Sequence, residues 1–398
     1  MKILHTGDWH IGKIVNEFSM IDDQAHALDQ MIEIIREEKP DAIVIAGDIY
    51  DRSIPPIEAI ELLDRVFTTI LLELSTPILA IAGNHDSAER LSFAGKVLTQ
   101  KGLHIAGIFD KDIKKITLEG KSGKVNFYLL PYADPKDIKH VLDSKEISNH
   151  DDAMEKVIEG LKRGLAEDSI NVLVAHGYVA NIKFESNVSI EDIEKSGIVT
   201  SDSERPLSIG GTDIIRVEHF DSFNYTALGH LHGPQKIGSD KVRYSGSLLK
   251  YSFSETSHKK GFTIVSIGEK GDVTIELKEI KPRRDMRVIR GPLNELISIE
   301  VYGGTNVEDY IYAILTDENE LIDPISKLRA VYPNIMGLSR ESIVNKEVSR
   351  TSASKGYQNK SKLDIFDEFY YSISGKRLDE KRVEVLKDVI ANVEREGI

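Results

Sequence analysis

The sequence contains no cysteine, which excludes disulfides, cysteine-ligated zinc, iron–sulfur clusters and any thiol nucleophile. A metal site in this chain must therefore be built from His, Asp, Asn and Glu. Long apolar runs are also lacking: none approaches a membrane span, so a soluble protein with no membrane partner is expected. The opening residues, MKILHTGDWH, run directly into a strand-like segment without room for a secretory leader, and a cytoplasmic location is expected. Nor is there a basic excess. The formal net charge is −14, whereas bulk attraction to nucleic acid requires a basic footprint, so a nucleic-acid substrate must be held by metals, local basic patches or a partner. The G-x-x-x-x-G-K-[ST] loop is absent as well, and ATP is not expected to be handled by this chain.

What is present is a chain of 398 residues, 40% hydrophobic, long enough for two or three domains with cores of their own. Near-continuous apolar runs end in polar residues at KILHTGD (Lys2 to Asp8), DAIVIAGD (Asp41 to Asp48), PILAIAGNHD (Pro77 to Asp86) and NVLVAHG (Asn171 to Gly177). Such runs predict strands buried on both faces. Apolar residues at three- and four-residue spacing predict helices between them, from about Asp22 to Glu38, Pro56 to Leu74, Ser87 to Gln100 and Asp151 to Ala166. From Asn224 to Ile280, closely spaced strands with glycine-containing turns predict a second sheet packed on the first. The alternation implies a layered α/β core.

A basic hinge, KPRRDMR (Lys281 to Arg287), precedes a smaller strand and helix alternation that includes VEDYIYAILTDE and the helix-like DPISKLRAVY. Residues 344–362 carry five basic side chains against one acidic and show no apolar period, which predicts a linker. Two amphipathic helices follow, with Phe366, Phe369, Tyr370 and Ile373 on the first and Val383, Leu386, Ile390 and Val393 on the second. Two such short helices bury little alone and are expected to need a partner.

The chemistry concentrates at strand ends. Asp8 and His10 lie in GDWHIG, Asp48 in GDIYD, Asn84, His85 and Asp86 in GNHD, His176 in AHG, and His230 and His232 in GHLH. Loops at the carboxyl ends of α/β strands are where ligands bind. Their oxygen and nitrogen donors suit manganese, iron or zinc, and a carboxylate can bridge two ions. Two ions roughly 3.5–4 Å apart can polarise a phosphoryl oxygen and generate hydroxide at neutral pH. Gly7, Gly47, Gly83, Gly177 and Gly229 adjoin these residues, where the backbone is expected to turn sharply. A lone GD or GH pair is usually only a turn, but chance does not place five such motifs in order, each after an apolar strand. The other histidines, at 5, 26, 104, 140, 150, 219 and 258, lack this setting and read as ordinary core or surface residues.

This ordered set resembles the calcineurin-like metallophosphoesterase superfamily over roughly the first 280 residues. The resemblance implies a two-sheet αββα core. It also implies two divalent metal ions, one held by Asp8, His10, Asp48 and His232 and the other by Asp48, Asn84, His176 and His230, with Asp48 as the bridge. By the same resemblance, His85 acts on the scissile phosphate as general acid or charge stabiliser, Asp86 orients its ring, and two-metal-activated hydroxide is the nucleophile. HTGDWHIGK, GDIYDRSIPP, SGSLLKYSFSE and KPRRDMR are similar, more narrowly, to the bacterial SbcD nuclease family. That likeness implies a nuclease domain at 1–280, a smaller α/β DNA-capping domain at 281–343, the linker at 344–362 and a helical pair at 363–398 that docks on the coiled coil of the ATPase SbcC. It further implies manganese as the metal, exonuclease action on double strands, and endonuclease action on single strands and hairpins. The family works in DNA repair, recombination and replication, as a homodimer of the nuclease chain within a heterotetramer with SbcC. Related archaeal and eukaryotic nucleases carry a histidine where this sequence has Asp51, an aspartate usual in SbcD-like sequences.

Two other readings use the same residues. A small-substrate phosphodiesterase or phosphatase shares every ligand but needs no linker and tail, and a non-enzymatic DNA-end scaffold gives His85 and Asp86 no purpose. Lys13, Arg52, Arg90, Lys250, Arg283, Arg284 and Arg287 are candidates for DNA backbone contacts by proximity to the motifs. The helix from Pro56 to Leu74 and the segment from Ser87 to Gln100 are candidate dimer surfaces.

Overall fold

The apolar runs form strands, and these divide between two six-stranded sheets in a computed structural model of the chain. It describes residues 1–120, 123–165, 169–182, 198–204, 213–317, 319–341, 362–374 and 377–396. The first sheet runs in the order Val273–Glu279, Gly261–Ile267, Lys2–Thr6, Ala42–Ala46, Ile78–Ile81, Leu103–Ala106. Its last four strands are parallel, and the first two are added antiparallel. The second runs Gln235–Ile237, Ser239–Tyr244, Tyr225–Gly229, Ile170–His176, Gly123–Leu129, Lys114–Gly120, parallel across its four central strands.

Alternate side chains of each strand face opposite layers. Ile3, Val44, Ala46, Leu79 and Ile81 meet Phe127, Leu129, Val172, Val174 and Ala227 in an inter-sheet core. Leu4, Ile43, Ile45 and Ala80 point the other way, against Ala27, Leu28, Met31, Leu63 and Val66 of the helices Ile21–Glu38 and Ile57–Thr68. On the far side, Tyr128, Leu173 and Leu228 pack on Met154, Val157 and Ile158 of the helix His150–Lys162. Burial on both faces explains the unbroken apolar runs. The layers are αββα.

Sheet membership differs from the expectation in two places. Ile170–His176 belongs to the second sheet, and Gly261–Ile267 with Val273–Glu279 belong to the first, through pairs such as Ile3↔Val265. The helix expected over Ser87 to Gln100 is broken. Ala88–Ser92 ends at Phe93, and Ala94 takes a left-handed φ of 56° before Gly95–Leu98 resumes.

After the core, Met286–Gly291, Tyr310–Leu315 and Ile335–Arg340 form a parallel three-stranded sheet with its own core of Leu293, Leu296, Ile311, Leu315, Leu328 and Tyr332. The expected hinge is a fastened joint. The Tyr310 hydroxyl donates to the buried Asp23 carboxylate at 2.9 Å, Arg284 donates to Tyr310 at 2.9 Å, and Lys250 donates to Asp285 at 2.8 Å. Gln30 and the Lys281 backbone exchange two further hydrogen bonds. The expected linker lies outside the described residues apart from Lys362. The helices Lys362–Ser374 and Glu380–Glu396 follow and pack on each other. Among the described residues no helix is long and apolar enough to cross a membrane.

Candidate metal centre

Parallel strands deliver the motifs to one end of both sheets. Lys2–Thr6, Ala42–Ala46 and Ile78–Ile81 carry Asp8, His10, Asp48 and Asn84 just past their carboxyl ends, while Ile170–His176 and Tyr225–Gly229 supply His176, His230 and His232. Asp8, His10, Asp48 and His230 all take positive φ, at 50°, 47°, 49° and 114°. Such conformations cost non-glycine residues about 1–3 kcal/mol each and persist only where neighbours fix them. Here the Asp8 N–H donates to the Gly47 carbonyl at 3.0 Å and the His10 N–H to the Asp48 carbonyl at 2.9 Å. The His230 N–H donates to the Asp8 carboxylate at 2.8 and 3.0 Å. Two glycines permit the close approach: a Cβ on Gly83 would lie 2.2 Å from Asp48 Oδ1, and one on Gly229 1.9 Å from the Ala46 carbonyl oxygen. Gly7 has only ordinary contacts, so the sharp turn expected there falls on Asp8 instead.

Around Asp48 the donors converge. The Ala46 carbonyl can only accept, so His176 Nδ1, 2.9 Å away, carries the proton and Nε2 is an acceptor. That unprotonated Nε2 faces Asn84 Oδ1 at 2.8 Å and Asp48 Oδ2 at 3.5 Å. His230 Nδ1 lies 3.3 Å from the same Asn84 oxygen. His10 Nε2 is 3.7 Å from the same Asp48 Oδ2 and 3.1 Å from His232 Nε2. Asp8, Asp48 and His176 bring donor atoms within 4.8 Å of one another. Burial lowers the pKa of His10, His176, His230 and His232, which keeps them in the neutral form that ligates. Burial, and then the neighbouring Asp48, raises that of Asp8. Lone pairs that face lone pairs, beside adjoining buried carboxylates, fit divalent cations. All seven residues expected as ligands are brought together.

His85 and Asp86 stand at the mouth. The His85 N–H donates to Asp48 Oδ1 at 2.8 Å, and its ring Nδ1 donates to the Asp51 main-chain carbonyl at 2.8 Å. Asp86 does not orient this ring, contrary to expectation. Its carboxylate instead accepts the N–H groups of Ile49, Tyr50 and Gly83 at 3.1, 2.9 and 2.9 Å, binding the second and third motifs together. Burial and the nearby Asp48 push its pKa up to about 7.

Two family models match the chain. Residues 1–234 match the calcineurin-like phosphoesterases. The chain belongs to the calcineurin-like phosphoesterase family. Residues 282–372 match the SbcD C-terminal domain, described as the type 5 capsule protein repressor C-terminal domain, and the combination makes this an SbcD-like phosphoesterase. Among solved structures, the protein TT1561 of Thermus thermophilus is similar with a TM-score of 0.38 and 11% identity, covering 69% of this chain and 98% of its own. A dimetal phosphatase from Danio rerio is similar with a TM-score of 0.39 and 12% identity, covering 70% and 98%. Likenesses this distant add nothing to the family match.

In this phosphoesterase several further residues serve the centre without having announced themselves in the sequence. Ser203 Oγ lies 2.6 Å from His232 Nδ1, and Glu204 accepts the His232 N–H at 2.8 Å. Burial pushes the Glu204 carboxyl up to about 7. Glu255, fully buried, is paired with Lys260 at 2.6 Å. Gln24 donates to the carbonyls of Trp9 and His10 and to the Tyr251 hydroxyl, and it accepts the Gly12 N–H. Ser203 and Glu204 follow no apolar strand, and Gln24 reads as one polar residue of a helix. Only SGSLLKYSFSE, which contains Tyr251 and Glu255, stood out, and it did so as a family likeness.

The basic candidates separate into two groups. Lys13 is paired with Asp51, Lys250 with Asp285, Arg284 with Asp23 and Arg287 with Asp309, all within the protein. Arg52, Arg90 and Arg283 are exposed, with Arg52 3.7 Å from Asp51 and Arg283 3.8 Å from Asp22.

Proposed function

We propose that this chain is a manganese-dependent DNA nuclease that trims double-stranded ends as an exonuclease, cuts single strands and hairpins as an endonuclease, and works with an SbcC-type ATPase in repair, recombination and replication. The observation that carries the reading is the convergence of seven imidazole, carboxylate and amide side chains, Asp48 at their centre, in a chain that also matches the SbcD C-terminal domain.

Asp8, His10, Asp48 and His232 would hold one ion, and Asp48, Asn84, His176 and His230 the other. When bound, the ions supply a hydroxide nucleophile and polarise the phosphoryl oxygen. The chain's own residues do the rest. Because the Asp51 carbonyl occupies His85 Nδ1, the Nε2 edge of that ring is left to meet the phosphate and to donate a proton or stabilise charge there. Asp86, by holding the Ile49, Tyr50 and Gly83 backbone, keeps Asp48 and His85 in register.

In this reading residues 1–280 are the nuclease domain, 281–343 the DNA cap, 344–362 the linker and 363–398 the docking pair for the ATPase coiled coil. Phe366 and Phe369 are exposed on the pair, as a docking face requires. Ile57 and Ile60, with Phe93 and Val97, present exposed apolar side chains on the two segments expected to form a homodimer. A cytoplasmic location follows from the same assignment.

The test is cleavage of a labelled DNA hairpin in manganese by wild type and His85→Ala, with and without the ATPase subunit and ATP. Cleavage that is abolished in the variant and enhanced by the partner supports the proposal. Failure to cut DNA, together with rapid hydrolysis of a small phosphodiester, would transfer the chain to the small-substrate members of its family.

A further inference from the structure

Among the described residues, His232 is the one expected ligand whose ring is held from behind by side chains of two separate segments. Ser203 Oγ lies 2.6 Å from its Nδ1 and also hydrogen bonds to Glu255 Oε1. Glu255 is 0% exposed, receives the Ser201 hydroxyl at 2.8 Å on the same oxygen, and receives the Lys260 ammonium at 2.6 Å on the other. Lys260 is fixed in turn by the His232 carbonyl and the Ser247 hydroxyl, both at 2.8 Å.

The proton directions in this chain are determined by chemistry. A carboxylate paired with an ammonium only accepts, and of the three groups around Ser203 Oγ, which are Glu255 Oε1, the Ser201 hydroxyl at 2.7 Å and His232 Nδ1, it is the nearest and the only charged acceptor, so the Ser203 hydroxyl gives its proton to Glu255. Its oxygen is then an acceptor toward His232, and Nδ1 must carry the ring proton. That leaves Nε2 as the lone pair, pointing into the centre 3.1 Å from His10 Nε2. Outer-sphere partners of this kind fix the tautomer and ring orientation of ligating histidines.

We infer that Ser203 and Glu255 form a hydroxyl–carboxylate relay that locks His232 in the Nδ1–H tautomer for metal ligation, which makes Ser203 a positioning residue for one of the two ions. The inference rests on the metal-centre reading above. It assigns a purpose to the SGSLLKYSFSE segment, whose Glu255 is the relay's carboxylate and whose Ser247 holds the Lys260 paired with it, and to Ser203, which closes the relay from a loop outside the strand-end motifs. It also predicts asymmetry, because among the described residues the ligands His176 and His230 make no hydrogen bond to the relay.

Two measurements test it. Imidazole ¹⁵N shifts of metal-free, ¹⁵N-histidine-labelled full-length protein at pH 8, with the His232 signal assigned by its absence in His232→Gln, should show the Nδ1–H form. An Nε2–H form overturns the relay, and because no metal or DNA is present this outcome is independent of the nuclease reading. Manganese titration followed by electron paramagnetic resonance should show that Ser203→Ala binds one of two equivalents about 10–100-fold more weakly and the other unchanged. Ser203→Thr, which keeps the hydroxyl, should restore it. Two undisturbed equivalents in Ser203→Ala, in protein with wild-type circular dichroism, would overturn the assignment.

Discussion

The Asp8 carboxylate accepts the backbone N–H of His230, at 2.8 and 3.0 Å, so the first strand-end motif holds the last in place across the two sheets. Asp8 is thus both an expected metal ligand and the fastening of a strained backbone at His230, where φ is 114°. Asp8→Asn keeps an oxygen for that N–H while removing one of two adjoining buried carboxylates. The variant should fold with a metal-free Tm no lower than wild type. In wild type, manganese at about 100 times the Kd of the ion that Asp8 would hold should add about 3–5 °C to Tm, from about 2.7 kcal/mol of linkage at that site, and Asp8→Asn should lose most of this increment. Differential scanning fluorimetry with and without manganese checks both halves, and an undiminished rise would remove Asp8 from the ligand set.

The glycines that adjoin the motifs are not equivalent. A Cβ on Gly7 meets nothing closer than 3.5 Å, whereas one on Gly229 meets the Ala46 carbonyl oxygen at 1.9 Å. Gly7→Ala should leave stability within about 0.5 kcal/mol of wild type. Gly229→Ala must wedge the strand end of one sheet away from the other and should cost about 3 kcal/mol or more. Urea unfolding of the two variants compares them directly.

Asp151 supplies a pH signature remote from the centre. It accepts the Arg216 N–H and Nε at 2.8 and 2.7 Å and pairs with His219 Nε2 at 2.8 Å, tying the start of the His150–Lys162 helix to the strand Ile214–Arg216 and the turn after it. Burial alone would raise its carboxyl, but hydrogen bonds from His219 and Arg216 outweigh that and hold it below the ordinary range. A depressed carboxylate stabilises fully above its unfolded pKa, about 3.9, and loses that contribution as pH falls through the folded value. Asp151→Ala should therefore cost about 2–3 kcal/mol at pH 7, and the gap to wild type should narrow below about pH 4. A gap that widened with acid would contradict this.

If the proposed nuclease function holds, Arg284 and Arg90 should separate fastening from DNA binding. Arg284 is engaged with Asp23 and Tyr310 at the joint between the core and the C-terminal sheet, while Arg90 is exposed beside the GNHD loop. Arg284→Ala should lower Tm and expose the segment around Lys281 to proteases. Arg90→Ala should leave Tm unchanged and weaken DNA binding, with a shallower salt dependence. The reverse pattern in fluorescence anisotropy and limited proteolysis would reverse the two roles.

The donors that converge on Asp48 were legible because each lies at the end of a buried strand whose apolar run stops there, as Ala46 stops before Gly47 and Asp48. Sheet membership was not, since Ile170–His176 and Lys2–Thr6 are both buried on their two faces and nothing in either run says which neighbour it pairs with. The break at Ala94 was hidden because a left-handed residue in an otherwise helical period leaves no mark unless it is glycine. Asp86 was expected to orient His85 on the family resemblance alone, whereas its carboxylate turns back to the Ile49 and Tyr50 backbone. Ser203 and Glu204 reach the centre from a loop with no period.

The most direct measurement is anomalous scattering from crystals of the full chain soaked in manganese. The account predicts two peaks flanking the Asp48 carboxylate, one beside His10 and His232 and the other beside Asn84, His176 and His230. A single peak, or ions bound away from Asp48, would contradict it.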